Sequence, residues 1–189
     1  MPAHLRRLTA VALGAAAILV SVALPAHAKT ASPQKWGTAF CGGLGAWSDS
    51  VTTGGEEIKA SLDEAGITPD QGKATIVTYI GEIGDATGDF YETVRRAGAP
   101  ATTNGTKIQK EILTGIAGIE SRVGDMEALA QAIPTTDVTS FQTSVQALAS
   151  AFDTVSDPFD EAMDNVSRLD KKNQLDKTLQ KVKACQAIF

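Results

Sequence analysis

The sequence predicts an all-α fold: an antiparallel four-helix bundle of long helices, a shorter C-terminal fifth helix, and one disulfide joining the first and last helices. Three observations predict it. Apolar residues recur at helical spacing along almost the whole chain of 189 residues, and no segment alternates as a strand would. The breaks between these stretches are short, which favours antiparallel neighbours. Only two cysteines occur, Cys41 and Cys185, one near each end of the helical region.

In chain order, residues 1–28 come first and read as a cleaved secretory signal peptide. Arg6 and Arg7 form a positive start, an apolar run from Leu8 to Leu24 follows, and Ala26-His27-Ala28 is a small-x-small cleavage pattern. Cleavage there starts the mature protein at Lys29, so residues 29–189 are expected to form one helical-bundle domain. Nothing later approaches the ~18 consecutive apolar residues of a membrane span, so no transmembrane span is expected after cleavage.

The first helix opens at Ser32, an N-cap residue followed by a first-turn proline, and Gly66 is expected to end it. Trp36, Phe40, Leu44, Trp47, Val51, Ile58 and Leu62 share one narrow face of it. Thr68-Pro69-Asp70-Gln71 has the form of a capping box and opens the second helix. Its stripe is Ile76, Ile80, Ile83, Thr87, Phe90 and Val94, and Gly98 with Pro100 stops it. The third helix begins near Asn104 and carries Ile108, Ile112, Ile116, Ile119, Val123, Met126, Ala130 and Ile133 before Pro134.

The fourth helix opens after Thr136 or Asp137. Val138, Phe141, Val145, Leu148, Phe152, Val155, Phe159, Val166 and Leu169 keep one face, and the phase does not change across Pro158. A kink within one helix is therefore expected there, not a break. After Leu169 the phase changes. Asn173 to Asp176 are placed to cap a fresh, shorter helix carrying Leu175, Leu179, Val182 and Phe189.

Export puts the chain in an oxidising compartment, where two cysteines read as one disulfide. Cys41 lies about 12 Å into the first helix and Cys185 about 17 Å into the fifth, at 1.5 Å per residue. Those heights match if the fifth helix runs up beside the first.

Chemistry is bounded by what is missing. Both histidines, His4 and His27, fall in the signal, so the mature chain has none. Ser–His and Cys–His nucleophiles, zinc centres and histidine-ligated haem are excluded on that ground. Met126 and Met163 lie on different helices, which excludes a methionine-rich copper site. There is no P-loop, dinucleotide fingerprint or EF-hand loop. The sequence therefore predicts no catalytic residue, no metal ligand and no cofactor.

Charge is uneven. The mature chain holds 15 basic and 22 acidic residues, a net −7. Glu82, Asp85, Asp89 and Glu92 line one face of the second helix, and Asp153, Asp157, Asp160, Glu161 and Asp164 cluster on the fourth, both expected to be solvated. Residues 165–189 total +4. There Lys171, Lys172, Lys177 and Lys181 are candidate contacts for an anionic surface, with pairing to acidic neighbours in the same molecule as the alternative. Nucleic acid is not an expected partner of an exported acidic chain without aromatics among its basic residues.

The leader, the Ala/Thr/Gly-rich helices and the single Cys41–Cys185 pair together resemble small secreted helical proteins of actinobacteria, most of them uncharacterised. The resemblance spans the whole chain and implies an extracellular bacterial location, but no functional residues. The leading expectation is a secreted, non-enzymatic helical bundle with a binding or structural role at or outside the cell surface. Its expected partner is a cell-surface or cell-wall component or another protein. The alternative is an extracytoplasmic carrier of a small apolar ligand held between the helices, which an apolar pocket would favour over a solid core.

Overall fold

Three of the helices, those opened by Ser32, Thr68 and Asp137, start where the sequence supplies a side-chain partner for an orphan N–H group; at the start of the helix Gly105–Gln131 the Asn104 side chain makes no such bond. Ser32 accepts from the backbone N–H of Lys35 and opens α1 (Pro33–Leu62). Thr68 and Gln71 form the full capping box that opens α2 (Pro69–Ala97). Asp137 accepts from Ser140 N–H and opens α4 (Val138–Phe152). In this computed structural model residues 30–64, 66–186 and 188 are described. The expected signal peptide, residues 1–28, the expected mature start at Lys29, and Phe189 lie outside them.

The described chain is mostly helical. In order it comprises β1 (Thr30–Ala31), α1, α2, β2 (Ala99–Pro100), α3 (Gly105–Gln131), α4, α5 (Asp157–Leu169), α6 (Gln174–Leu179) and α7 (Lys183–Gln186). β1 and β2 pair in parallel, Thr30 with Ala99 and Ala31 with Pro100. Periodicity gave no sign of these two-residue strands, because two residues are too few to alternate.

α1 packs on α2, α2 on α3, α3 on α5, and α6 and α7 on α1. Trp36, Phe40, Phe90 and Phe159 form the aromatic centre. Trp36 stacks on Phe40 at 5.0 Å, and Phe159 meets Phe90 edge-on at 5.9 Å between centroids. The stripes expected of α2 and α3 are buried throughout. Burial of one such side chain stabilises by about 1.5–3 kcal/mol.

Four expectations are corrected. The fourth helix does not kink at Pro158 but breaks: a turn over residues 153–156 separates α4 from α5, with Pro158 in the first turn of α5. Proline has no N–H and crowds the carbonyl four residues back, so a fresh start is cheaper than a bend. The stripe keeps its phase because Leu148, Val155, Phe159 and Val166 still all reach the core. Val138, expected on that stripe, is 58% exposed. Finally, the shorter fifth helix is two pieces, α6 and α7, and Asn173 does not cap it. Asn173 adopts a left-handed φ of 49°, and the Asp170 carboxylate instead accepts from the N–H groups of Gln174, Leu175 and Asp176. Smaller in effect, α1 ends at Leu62, and Gly66 sits in the connection at φ 93°.

The disulfide is present. Cys41 and Cys185 are bonded with a Cα–Cα distance of 5.0 Å across a separation of 144 residues, and tie α7 to α1. Gly37 completes that seam: a Cβ there would lie 2.7 Å from Leu179. Gly115 and Gly118 do the same for α3 and α5, where a Cβ would meet Ala162 at 2.6 Å and Pro158 at 2.5 Å.

Candidate functional site

α4 differs from its neighbours. Its sequence, VTSFQTSVQALASAF, has no charged residue, and only Leu148 is buried. Phe141, Val145 and Phe152 are half-buried against the core. The helix packs on α3 and, through Phe141 against Gly72, on the start of α2; beyond that contact it stands off the α1–α2 hairpin, leaving a groove of about 280 Å³ between them.

The groove is built from apolar side chains of three helices. Ile58 and Leu62 come from α1, Ile76 and Ile80 from α2, and Val145 and Leu148 from α4. Tyr79 and Phe152 face each other across it at 6.3 Å between ring centroids. Tyr79 lies flat on α1 because position 54 is glycine; a Cβ there would stand 2.4 Å from the ring. Its hydroxyl donates to the Val51 carbonyl at 2.8 Å, and burial pushes the phenol pKa upward. Gly54 and Gly55 sit in a helix interior, at a cost of roughly 1 kcal/mol each relative to Ala. The close approach of Tyr79 offsets that cost.

Among the described residues, two that line the groove carry a polar side-chain group: Tyr79 and, at the C-terminal end of α4, Asp153. Among the described residues the Asp153 side chain has no hydrogen bond and no ion pair. The nearby cation, Arg122, is committed elsewhere. It donates to the Thr154 carbonyl at 2.7 Å and lies 3.6 Å from Asp157.

The candidate sites from the sequence are placed as follows. Cys41 and Cys185 are buried and bonded. Lys171 and Lys172 occupy the turn after α5, Lys177 lies on α6, and Lys181 follows it; all four are exposed. None of the four forms an ion pair within 4 Å among the described residues. Asp153, Asp157, Asp160, Glu161 and Asp164 are exposed, as are Glu82, Asp85 and Asp89. Glu92 is bonded by Arg95 at 2.7 Å, which holds its carboxyl below the usual range. No group of three His, Cys, Asp or Glu with metal-holding geometry occurs among the described residues.

Sequence reasoning missed the groove. Two signals marked it: a helix of 15 residues without charge in a chain that is 21% charged, and adjacent glycines inside another helix. Sequence reasoning also missed Gln109, a buried amide off the apolar stripe. Its Oε1 accepts from Trp36 Nε1 at 2.7 Å, and its Nε2 donates to Val94 O at 2.8 Å. Compared with known proteins, the chain matches no protein-family model, no curated protein and no solved structure.

Proposed function

We propose that this is a secreted, non-enzymatic protein that carries a small apolar ligand outside the cell, in the groove between α4 and the α1–α2 hairpin. The groove itself carries the reading: it is concave and lined almost wholly by apolar side chains, with Tyr79 and Asp153 the only polar side chains among its described lining residues. Small-molecule sites have that anatomy and take about 300–1,000 Å³. At about 280 Å³ the groove lies at the small end, the size of one short chain or ring system and not of a two-chain lipid.

Secretion is supported by the Arg6-Arg7 start, the apolar run and Ala26-His27-Ala28, and the disulfide is compatible with an oxidising compartment. A non-enzymatic role is supported by the lack of histidine after residue 27 and by the exposure of the clustered carboxylates. We read the fold as an antiparallel four-helix bundle whose legs are α1, α2, α3 and the α4–α5 arm. Paired contacts support that reading: Gly43 with Phe90 and Gly54 with Tyr79, then Gly84 with Val123, then Gly118 with Pro158. Between α1 and α2, numbers rise along one helix as they fall along the other. The exposed lysines lie beyond the far end of α2 from the groove. They give the carrier a basic end with which to meet an anionic surface, leaving the groove free.

Titration with a neutral, environment-sensitive dye such as Nile red tests the carrier reading. Wild type should bind one dye per chain, saturably. Ala149→Trp, which places a large ring in the groove from an exposed position of α4, should abolish binding while the far-UV circular dichroism and melting temperature stay close to wild type. Absence of saturable binding in wild type, or equal binding by the variant, would refute the reading.

A further inference from the structure

We propose that the ligand of this groove carries a cationic head, an ammonium group, seated on Asp153. The inference rests on the carrier reading and adds the chemical class of the ligand.

The charge around the groove carries it. Asp153 is the one charged residue lining the groove among the described residues, and it lies at the C-terminal end of α4. Its carboxylate has no hydrogen bond or ion pair among the described residues. Asp153 is also the C-cap of α4, so its carboxylate sits at the negative end of the helix dipole. A side chain that stabilised α4 would be basic at this position; an acidic one adds negative charge to an end that already carries it. The cation within reach of the following turn, Arg122, is held by Thr154 O and Asp157 and does not neutralise Asp153. The Tyr79 hydroxyl has its proton on Val51 O and so has only lone pairs left to offer. Both polar groups of the groove thus accept hydrogen bonds or attract positive charge.

An anionic amphiphile would place its carboxylate against Asp153, with like charges repelling. A neutral one would bury its chain and leave Asp153 in water. An alkylammonium fills the apolar trough with its chain and sets its charge on the carboxylate. At about 30 Å³ for a water-sized group, the trough holds roughly nine or ten methylenes.

The test is displacement of Nile red by three amphiphiles with the same ten-carbon chain: decyltrimethylammonium, decanol and decanoate, all below micelle-forming concentration. The ammonium should displace the dye at a concentration about fivefold lower than decanoate, the size expected of an exposed charge pair. Raising the salt should shrink that gap. Asp153→Asn should lose most of the preference. Asp164→Asn, the same charge change at an exposed α5 position away from the groove, should keep it. Displacement by all three with equal potency, or a preference that survives Asp153→Asn, would overturn the cationic head while leaving the carrier reading intact. If the dye does not bind at all, both fall together.

Discussion

Arg122 donates a hydrogen bond at 2.7 Å to the carbonyl oxygen of Thr154, the acceptor that an N–H at position 158 would take in a continuous helix. Position 158 is proline and has no N–H. The Asp157 N–H reaches the same oxygen at 3.3 Å, and the guanidinium of α3 adds the shorter bond, with the Asp157 carboxylate as a second partner at 3.6 Å. Arg122→Met should destabilise by about 1–2 kcal/mol, because the bond is charge-assisted but half-exposed. Pro158→Ala restores an N–H, so in that background the Arg122→Met loss should shrink. A double-mutant cycle from urea unfolding measures the coupling; strict additivity would show that Arg122 acts on something other than this turn.

That pair also shows where sequence reasoning stops. The stripes of α1, α2 and α3 were legible because burial repeats with the helix period, and a period survives any detail of packing. The disulfide was legible because two cysteines allow one pairing. Pro158 was visible, but its outcome was not: continuity of the apolar phase is satisfied equally by a kink and by a turn of suitable length. The residues that decide, Thr154 O and Arg122, are 32 apart in sequence. The groove was hidden for a related reason. Val145, Leu148 and Phe152 were read as core, and that α4 stands off α1 and α2 depends on the break after Phe152.

Gln109 joins two buried groups, the indole of α1 and the last turn of α2. Gln109→Leu keeps the volume nearly constant but leaves Trp36 Nε1 and Val94 O without this partner. Two orphaned groups at about 1–3 kcal/mol each predict a loss of roughly 2–6 kcal/mol. Thr87→Val should cost less, about 1–2 kcal/mol, since it strands only Trp47 Nε1, bonded to Thr87 Oγ1 at 3.0 Å in a partly buried site. Chemical denaturation of both variants checks the order; a smaller loss for Gln109→Leu than for Thr87→Val would contradict it.

Glycines of similar appearance should respond oppositely. Gly81 lies on the exposed side of α2, and a Cβ added there would have nothing within 4 Å, so Gly81→Ala should stabilise by up to about 1 kcal/mol. Gly54→Ala puts a methyl 2.4 Å from the Tyr79 ring. The ring must move, at a cost of about 1–3 kcal/mol, and the groove must change with it. Thermal melts distinguish the two, and dye affinity should fall only for Gly54→Ala.

The disulfide holds the shortest helices. α6 and α7 have six and four residues, too few to be stable alone, and they pack chiefly on α1. Replacing Cys41 and Cys185 with Ser should cost about 2–5 kcal/mol. Local release should exceed global loss, so limited trypsin digestion of the variant should cut first at Lys177, Lys181 or Lys183. First cuts within α2 or α3 would show that the bond secures the whole fold rather than its last segment.

The wall of the groove rests on one carboxylate. Asp137 caps α4 by accepting from Ser140 N–H at 2.8 Å, and that bond holds its pKa below the usual 3.8. A depressed folded-state pKa contributes stability that is fully present above the unfolded value and is lost as pH falls through the folded one. Acidification below 3.8 should therefore fray α4 from its N-terminal end and weaken dye binding. Asn caps a helix nearly as well as Asp and does not titrate. In Asp137→Asn the acid loss of dye binding should be smaller than in wild type, while the other carboxylates titrate equally in both. Binding measured from neutral pH down to about pH 3 in the two proteins isolates the cap. Identical profiles would mean that α4 is held by its contacts with α3 and that its first turn does not govern the groove.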